Sequence, residues 1–241
     1  MNVKIINCPE EIGRAAAAMF IAQTLKNPKS VLGFATGSTP LPTYKALIEA
    51  NKANRVDFSE ISTFNLDEYV GLSGTHEQSY RHFMMQNLFN HINVNEANIN
   101  TINGDVSDTD AACEEFEAKI DNAGGIDLQI LGIGNNGHIA FNEPADNFPN
   151  ITHKVALHES TIEANKRFFE SADDVPKSAL TMGIGSIMRA KQIVLIATGE
   201  GKAEAIKAAV KGPITPEYPA SILQLHPCVT FLLDEGAASL L

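Results

Sequence analysis

The chain has 241 residues, 44% apolar and 20% charged, which suits one globular domain with a sizeable core. Eighteen Lys and Arg against 29 Asp and Glu leave a formal net charge of −11, arguing against nonspecific binding to nucleic acid or an anionic membrane. No run approaches the ~18 apolar residues of a membrane span. The start Met1-Asn2-Val3-Lys4-Ile5 lacks signal-peptide features, so a cytoplasmic protein is expected.

Short Val- and Ile-rich runs alternate with segments of helical period. A strand is predicted over 3–8 and a helix over 10–26, with Ile12, Ala15, Ala16, Met19, Phe20 and Leu25 largely on one stripe. A strand over 30–35 is followed by a helix over 41–53, then a strand over 60–65 and a helix over 78–90. Further strands are expected over 99–103, 126–131, 154–157, 192–197 and 228–233. Helices are expected over 108–122, 160–169, 186–190, 202–210 and 220–225. This rhythm predicts an α/β fold: an open, mostly parallel sheet with helices on both faces, whose ligands collect beyond the carboxyl ends of the strands. The polar stretch 145–174 interrupts the rhythm and reads as a surface excursion or a lid. Cys8, Cys113 and Cys228 are too scattered for a disulfide framework or a paired-cysteine metal site, and read as reduced thiols.

The loops after the strands carry the chemistry. Thr36-Gly37-Ser38-Thr39-Pro40 joins a buried strand to a helix. Glycine permits a tight turn, Ser38 or Thr39 offers an N-cap, Pro40 suits the first helical position, and the helix presents free N–H groups. Such a turn can hold an anion, though an ordinary capped turn would look the same. Gly132-Ile133-Gly134-Asn135-Asn136-Gly137 matches GxGxxG, but His138-Ile139-Ala140-Phe141-Asn142-Glu143-Pro144 follows it instead of a helix, which speaks against a dinucleotide site. Gly199-Glu200-Gly201-Lys202-Ala203 lacks the spacing and hydroxyl of a P-loop. Lys202, at a helix start, could still meet a phosphate as a point charge or be a solvated lysine.

Asp67 and Glu68 end a strand, where a carboxylate could abstract a proton from carbon or merely cap a loop. Asp67 is the choice for the pocket, although spacing does not separate the two. His138 and Glu143 share a glycine-bounded loop with Asn136. The histidine could shuttle a proton while Asn136 or Glu143 orients its ring. No HExxH pattern exists and the other six histidines are scattered, so no metal is expected.

Together these segments resemble the glucosamine-6-phosphate deaminase family over nearly the whole chain. The resemblance rests on Gly33-Phe34-Ala35-Thr36-Gly37-Ser38-Thr39-Pro40, on Phe64-Asn65-Leu66-Asp67-Glu68-Tyr69-Val70-Gly71-Leu72, and on the stretch from Leu131 to Pro144. Asn165-Lys166-Arg167-Phe168-Phe169 and Leu223-Gln224-Leu225-His226-Pro227 extend it. It implies conversion of glucosamine 6-phosphate and water to fructose 6-phosphate and ammonia, without a cofactor. It implies that Asp67 moves a proton from C2 to C1 of the opened sugar. His138 would open the ring, with Asn136 and Glu143 as its relay. The Thr36, Gly37, Ser38, Thr39 loop, Arg167 and Lys202 would bind the phosphate, with Arg167 borne on a lid over 145–174. The partner is then a small sugar phosphate, not nucleic acid or a membrane.

Two departures carry expectations. Some members have aspartate at the place of Asn136; asparagine orients the imidazole but adds no charge. Longer members bind an allosteric sugar phosphate between subunits through polar residues where this chain has Thr152-His153-Lys154-Val155-Ala156, so a non-allosteric monomer is expected. The alternatives are a 6-phosphogluconolactonase-like hydrolase, which would need a water-activating base, and a sugar-phosphate sensor that binds without turnover.

Overall fold

The computed structural model describes residues 1–157 and 175–241. The helix predicted over 160–169, Arg167 with it, lies outside the described residues. Seven parallel strands form the main sheet: β1 (Asn2–Ile5), β2 (Val31–Phe34), β3 (Ser62–Asn65), β5 (Ile99–Asn100), β6 (Leu128–Leu131), β9 (Ile193–Ala197) and β10 (Val229–Leu233). Their order is β1-β10-β9-β6-β2-β3-β5. The central strands β2, β6 and β9 are buried at every position, as expected of strands covered on both faces; β2 and β9 are apolar throughout, and β6 is apolar but for the buried Gln129.

Helices α1 (Pro9–Lys26), α2 (Leu41–Lys52), α3 (Tyr80–Asn87) and α4 (Thr109–Asn122) come close to their predicted bounds. Two more run over Ile184–Met188 and Ala203–Lys211. On one face of the sheet Phe34 stacks on Phe20 of α1 and meets Tyr44 of α2 and Phe89 edge-on. The other face carries Phe64 against Phe116 of α4. The two faces separate because β2 pairs with β3 so that Gly33, not Phe34, stands beside Phe64.

A second sheet, of three antiparallel strands in the order β4-β8-β7, corrects the expectation of a single sheet. Its strands are β4 (Asp67–Tyr69), β7 (His153–Ala156) and β8 (Ser178–Thr181). β7 was expected in the parallel sheet, while β4 and β8 were not predicted at all. The smaller sheet grows directly from the larger: β3 passes through Leu66 into β4, and Met182 N–H donates to Leu66 O at 2.7 Å where β8 ends.

Strand order reverses between β2 and β6. From β2 the chain proceeds through β3 to β5 at one edge, and from β6 through β9 to β10, beside which the N-terminal β1 forms the other edge. Loops leaving β2 and β6 therefore diverge, and a crevice opens between them beyond the carboxyl ends.

Candidate active site

That crevice is a cleft of about 230 Å3 lined by three loops. The turn after β2 contributes Thr36, Gly37, Thr39 and Pro40. The β3–β4 junction contributes Leu66 and Asp67, and the loop after β6 contributes Gly134, His138, Ala140 and Phe141.

Gly37 has φ +95, a left-handed conformation that any side chain would strain, so the tight turn depends on it. The expected N-cap is corrected: α2 begins at Leu41, Pro40 occupies the cap position, and no side chain caps the helix. Thr36 and Thr39 line the cleft, whereas Ser38 is exposed and is not among its lining residues. The root of the turn is fixed by Tyr44, whose hydroxyl accepts from Ala35 N–H at 3.2 Å and donates to Ala35 O. Lys202 occupies the N-cap position of the helix Ala203–Lys211 beyond β9, two strands from β2, without a side-chain capping bond. It is half-buried, which lowers its pKa, and it does not line the cleft itself.

The adjacent acids part company in β4. Glu68 is 1% exposed, and its carboxylate accepts N–H bonds from Tyr69, Tyr80 and Arg81, each at 2.9 Å. It ties β4 to the start of α3. Asp67 faces the cleft. Burial, and then the neighbouring Glu68, push its pKa up to about 8. Tyr80 forms part of the cleft wall next to it, donates its hydroxyl to Tyr69 at 3.2 Å and stacks on Phe141. Burial holds the Tyr80 phenol well above its ordinary range.

His138, Asn136 and Glu143 form a connected set. The His138 ring lies flat on Gly134, where an added Cβ would come within 2.3 Å of Nδ1 and Cε1, so only glycine admits the ring there. Asn136 Nδ2 donates to Glu143 Oε2 at 2.6 Å, and its Oδ1 accepts from the His138 backbone N–H at 3.3 Å. Nδ1 of His138 stands 3.3 Å from that same Oε2, within ion-pair reach but out of line for a hydrogen bond. An amide suits position 136 because it donates to one partner and accepts from the other; a carboxylate there would face Glu143 acceptor to acceptor.

β8 joins these two halves. Thr181 lies opposite Asp67 in the antiparallel register, and its Oγ1 accepts the Phe141 N–H at 3.0 Å. Asn142 Nδ2 donates to both Ile139 O and Met182 O. Between them Ala140 is held at φ +52, a strained value for a residue with a side chain. The sequence reading missed Tyr80, Phe141 and Thr181. Ser79 was a legible signal for the first, since its side chain caps α3 and so sets Tyr80 at the helix start. Among the described residues no group of three or more His, Cys, Asp or Glu side chains could hold a metal ion.

Residues 9–231 match the model of the family described as glucosamine-6-phosphate isomerases/6-phosphogluconolactonase. A glucosamine-6-phosphate deaminase of Thermoanaerobacter pseudethanolicus is 55% identical over 241 residues, covering 100% of this chain and 95% of that protein. One from Clostridium botulinum is 51% identical over 239 residues, covering 99% and 98%. A solved structure of a monomeric glucosamine-6-phosphate deaminase superposes with a TM-score of 0.96 at 44% identity, with both chains covered completely. The 6-phosphogluconolactonase of Thermotoga maritima superposes at 0.76 with 19% identity, covering 97% of this chain and 98% of that one, and so shares the fold.

Proposed function

Since the chain belongs to the glucosamine-6-phosphate isomerase and 6-phosphogluconolactonase family, we infer that it is an enzyme converting glucosamine 6-phosphate and water to fructose 6-phosphate and ammonia. One observation favours a deaminase over a lactonase within that family: a cleft-facing aspartate, Asp67, shares its pocket with His138 and the Thr36–Thr39 turn, beside full-length relatives of that name at 51–55% identity.

The proposed steps follow from that placement. His138, oriented by Asn136 and Glu143, moves the proton between the ring oxygen and the anomeric hydroxyl that opens the pyranose. Asp67, as carboxylate, takes the C2 proton of the open aldehyde to give an enolamine and returns it at C1. Water adds to the resulting C2 imine, and the C–N bond breaks to leave the ketone and ammonia. The phosphate, remote from the reacting carbons, is held by the turn after β2, by Lys202 and by Arg167, and its binding energy orients the sugar. We read the chain as one domain, with stretch 145–174 as a cover that brings Arg167, and as a cytoplasmic monomer without allosteric control. No helix among the described residues is long and apolar enough to cross a membrane.

Ammonia release from glucosamine 6-phosphate, followed beside Asp67→Asn, tests the reading. Hyperbolic saturation is expected in the wild type. The variant should lose about 10²–10⁴-fold in kcat, as for a removed general base, and still bind the sugar phosphate. Tight binding without ammonia from the wild type would favour a lactonase or a sensor, and proton exchange at C2 separates those two from a deaminase.

A further inference from the structure

Residues 215–221 form a turn closed on itself. Ser221 Oγ accepts from Thr215 N–H at 2.9 Å and donates to Thr215 O at 3.0 Å. Tyr218 N–H donates to Thr215 O, and Ser221 N–H to Tyr218 O. Gln224 Nε2 anchors the following segment to Gly212 O at the end of the helix Ala203–Lys211. This rigid piece grips the His138 loop from both sides. Ala220 N–H donates to Gly137 O at 2.9 Å, immediately before His138, and Ala145 N–H donates to Pro216 O at 3.2 Å, two residues beyond Glu143. Tyr218 lies across Gly137: a Cβ built there would meet its Cδ1 at 3.0 Å.

We propose that Tyr218 and its turn are a positioning element for His138, fixing the backbone on which the Asn136–His138–Glu143 set is strung. The inference rests on the assignment of His138 to proton transfer. The geometry of that set depends on where residues 136 and 143 are held, since one Glu143 oxygen serves both Asn136 and His138. The turn fixes the residue after Asn136, and the second residue after Glu143. A displacement of about 1 Å at such a site can cost about 10²-fold in rate, and a group that acts only in the transition state lowers kcat more than it raises KM. Tyr218 does this by packing: the atoms nearest the place a Gly137 Cβ would take are its Cδ1, Cα and Cβ, and the hydroxyl is not among them.

The test compares Tyr218→Ala, Tyr218→Leu and Tyr218→Phe in the ammonia-release assay. Tyr218 is 39% exposed, so its truncation leaves no large internal void. We expect Tyr218→Ala to lower kcat by about tenfold or more with KM within about twofold, and Tyr218→Phe to restore the wild-type value. Should the alanine variant fail to fold, Tyr218→Leu carries the same expectation in weaker degree. Wild-type kcat in the folded alanine or leucine variant would overturn the proposal. So would an equal loss in Tyr218→Phe, which would assign the effect to the hydroxyl. Wild-type turnover reports separately on the underlying function.

Discussion

An aspartate in water ionises near pH ~4, and Asp67 is pushed up to about 8 by burial and by Glu68 alongside. Only the ionised form can take a proton from carbon, so kcat/KM should rise with pH up to about 8. Stability should move the other way. Between about pH 4 and 8 the folded chain keeps a proton at Asp67 that the unfolded chain has lost, so the native state binds more protons and loses stability as pH rises. Asp67→Asn removes this dependence. It should melt at least about 2–4 °C above the wild type at pH 8 and close to it at pH 4, as read by thermal unfolding at both values. A variant that melts lower at both would show that the carboxyl is not held protonated. Glu68→Ala should fail differently. It leaves three N–H groups without their acceptor and should cost roughly 2–4 kcal/mol in denaturant unfolding. The two neighbouring acids thus separate into one whose removal relieves a pH-dependent cost to stability and one whose removal costs stability outright.

Element by element, the sequence is most readable where one principle dominates. Continuous apolar runs marked β2 and β9, a mainly apolar one marked β6, and the 3.6-residue stripe marked α1, because burial on two faces or on one leaves a trace in the sequence. β4 and β8 leave none. β4 is the three residues Asp67, Glu68 and Tyr69, and its pairing with β8 brings together segments more than a hundred residues apart. Asp67 and the His138 loop could be chosen from their positions after strands; their meeting in one cleft could not, since it depends on that pairing. The N-cap expected at Ser38 or Thr39 failed because Pro40 takes the cap position. Another long-range tie is equally silent in sequence. Glu117 of α4 accepts from Ser186 Oγ, from Thr152 through both side chain and backbone, and from Arg189. Burial alone would raise its pKa, but these bonds together hold it below the ordinary value. Its contribution to stability is therefore lost as pH falls through that lowered pKa. Glu117→Ala should lower the melting temperature at neutral pH by about 5–10 °C, as expected for a loss of ~2–3 kcal/mol in a chain of this size, with a smaller deficit in acid.

As a whole molecule, the chain carries a net charge of −11 and is inferred to take a dianionic substrate, so attraction must come from the turn after β2 and Lys202 against the general field. Binding energy gathered at a cleft between loops should appear as global stability. Asp67→Asn saturated with glucosamine 6-phosphate at about 100 times Kd should gain ~2.7 kcal/mol, or about 5–10 °C in melting temperature, and galactose without a phosphate should give none. A melting point unmoved by the sugar phosphate would show that the folded chain does not bind it. The strand β8 has one more consequence. Because Thr181 stands opposite Asp67 and receives the N–H of Phe141 beside His138, a single strand serves both tools as a common workbench. A shift of that strand would therefore move the Asp67 strand and the His138 loop together.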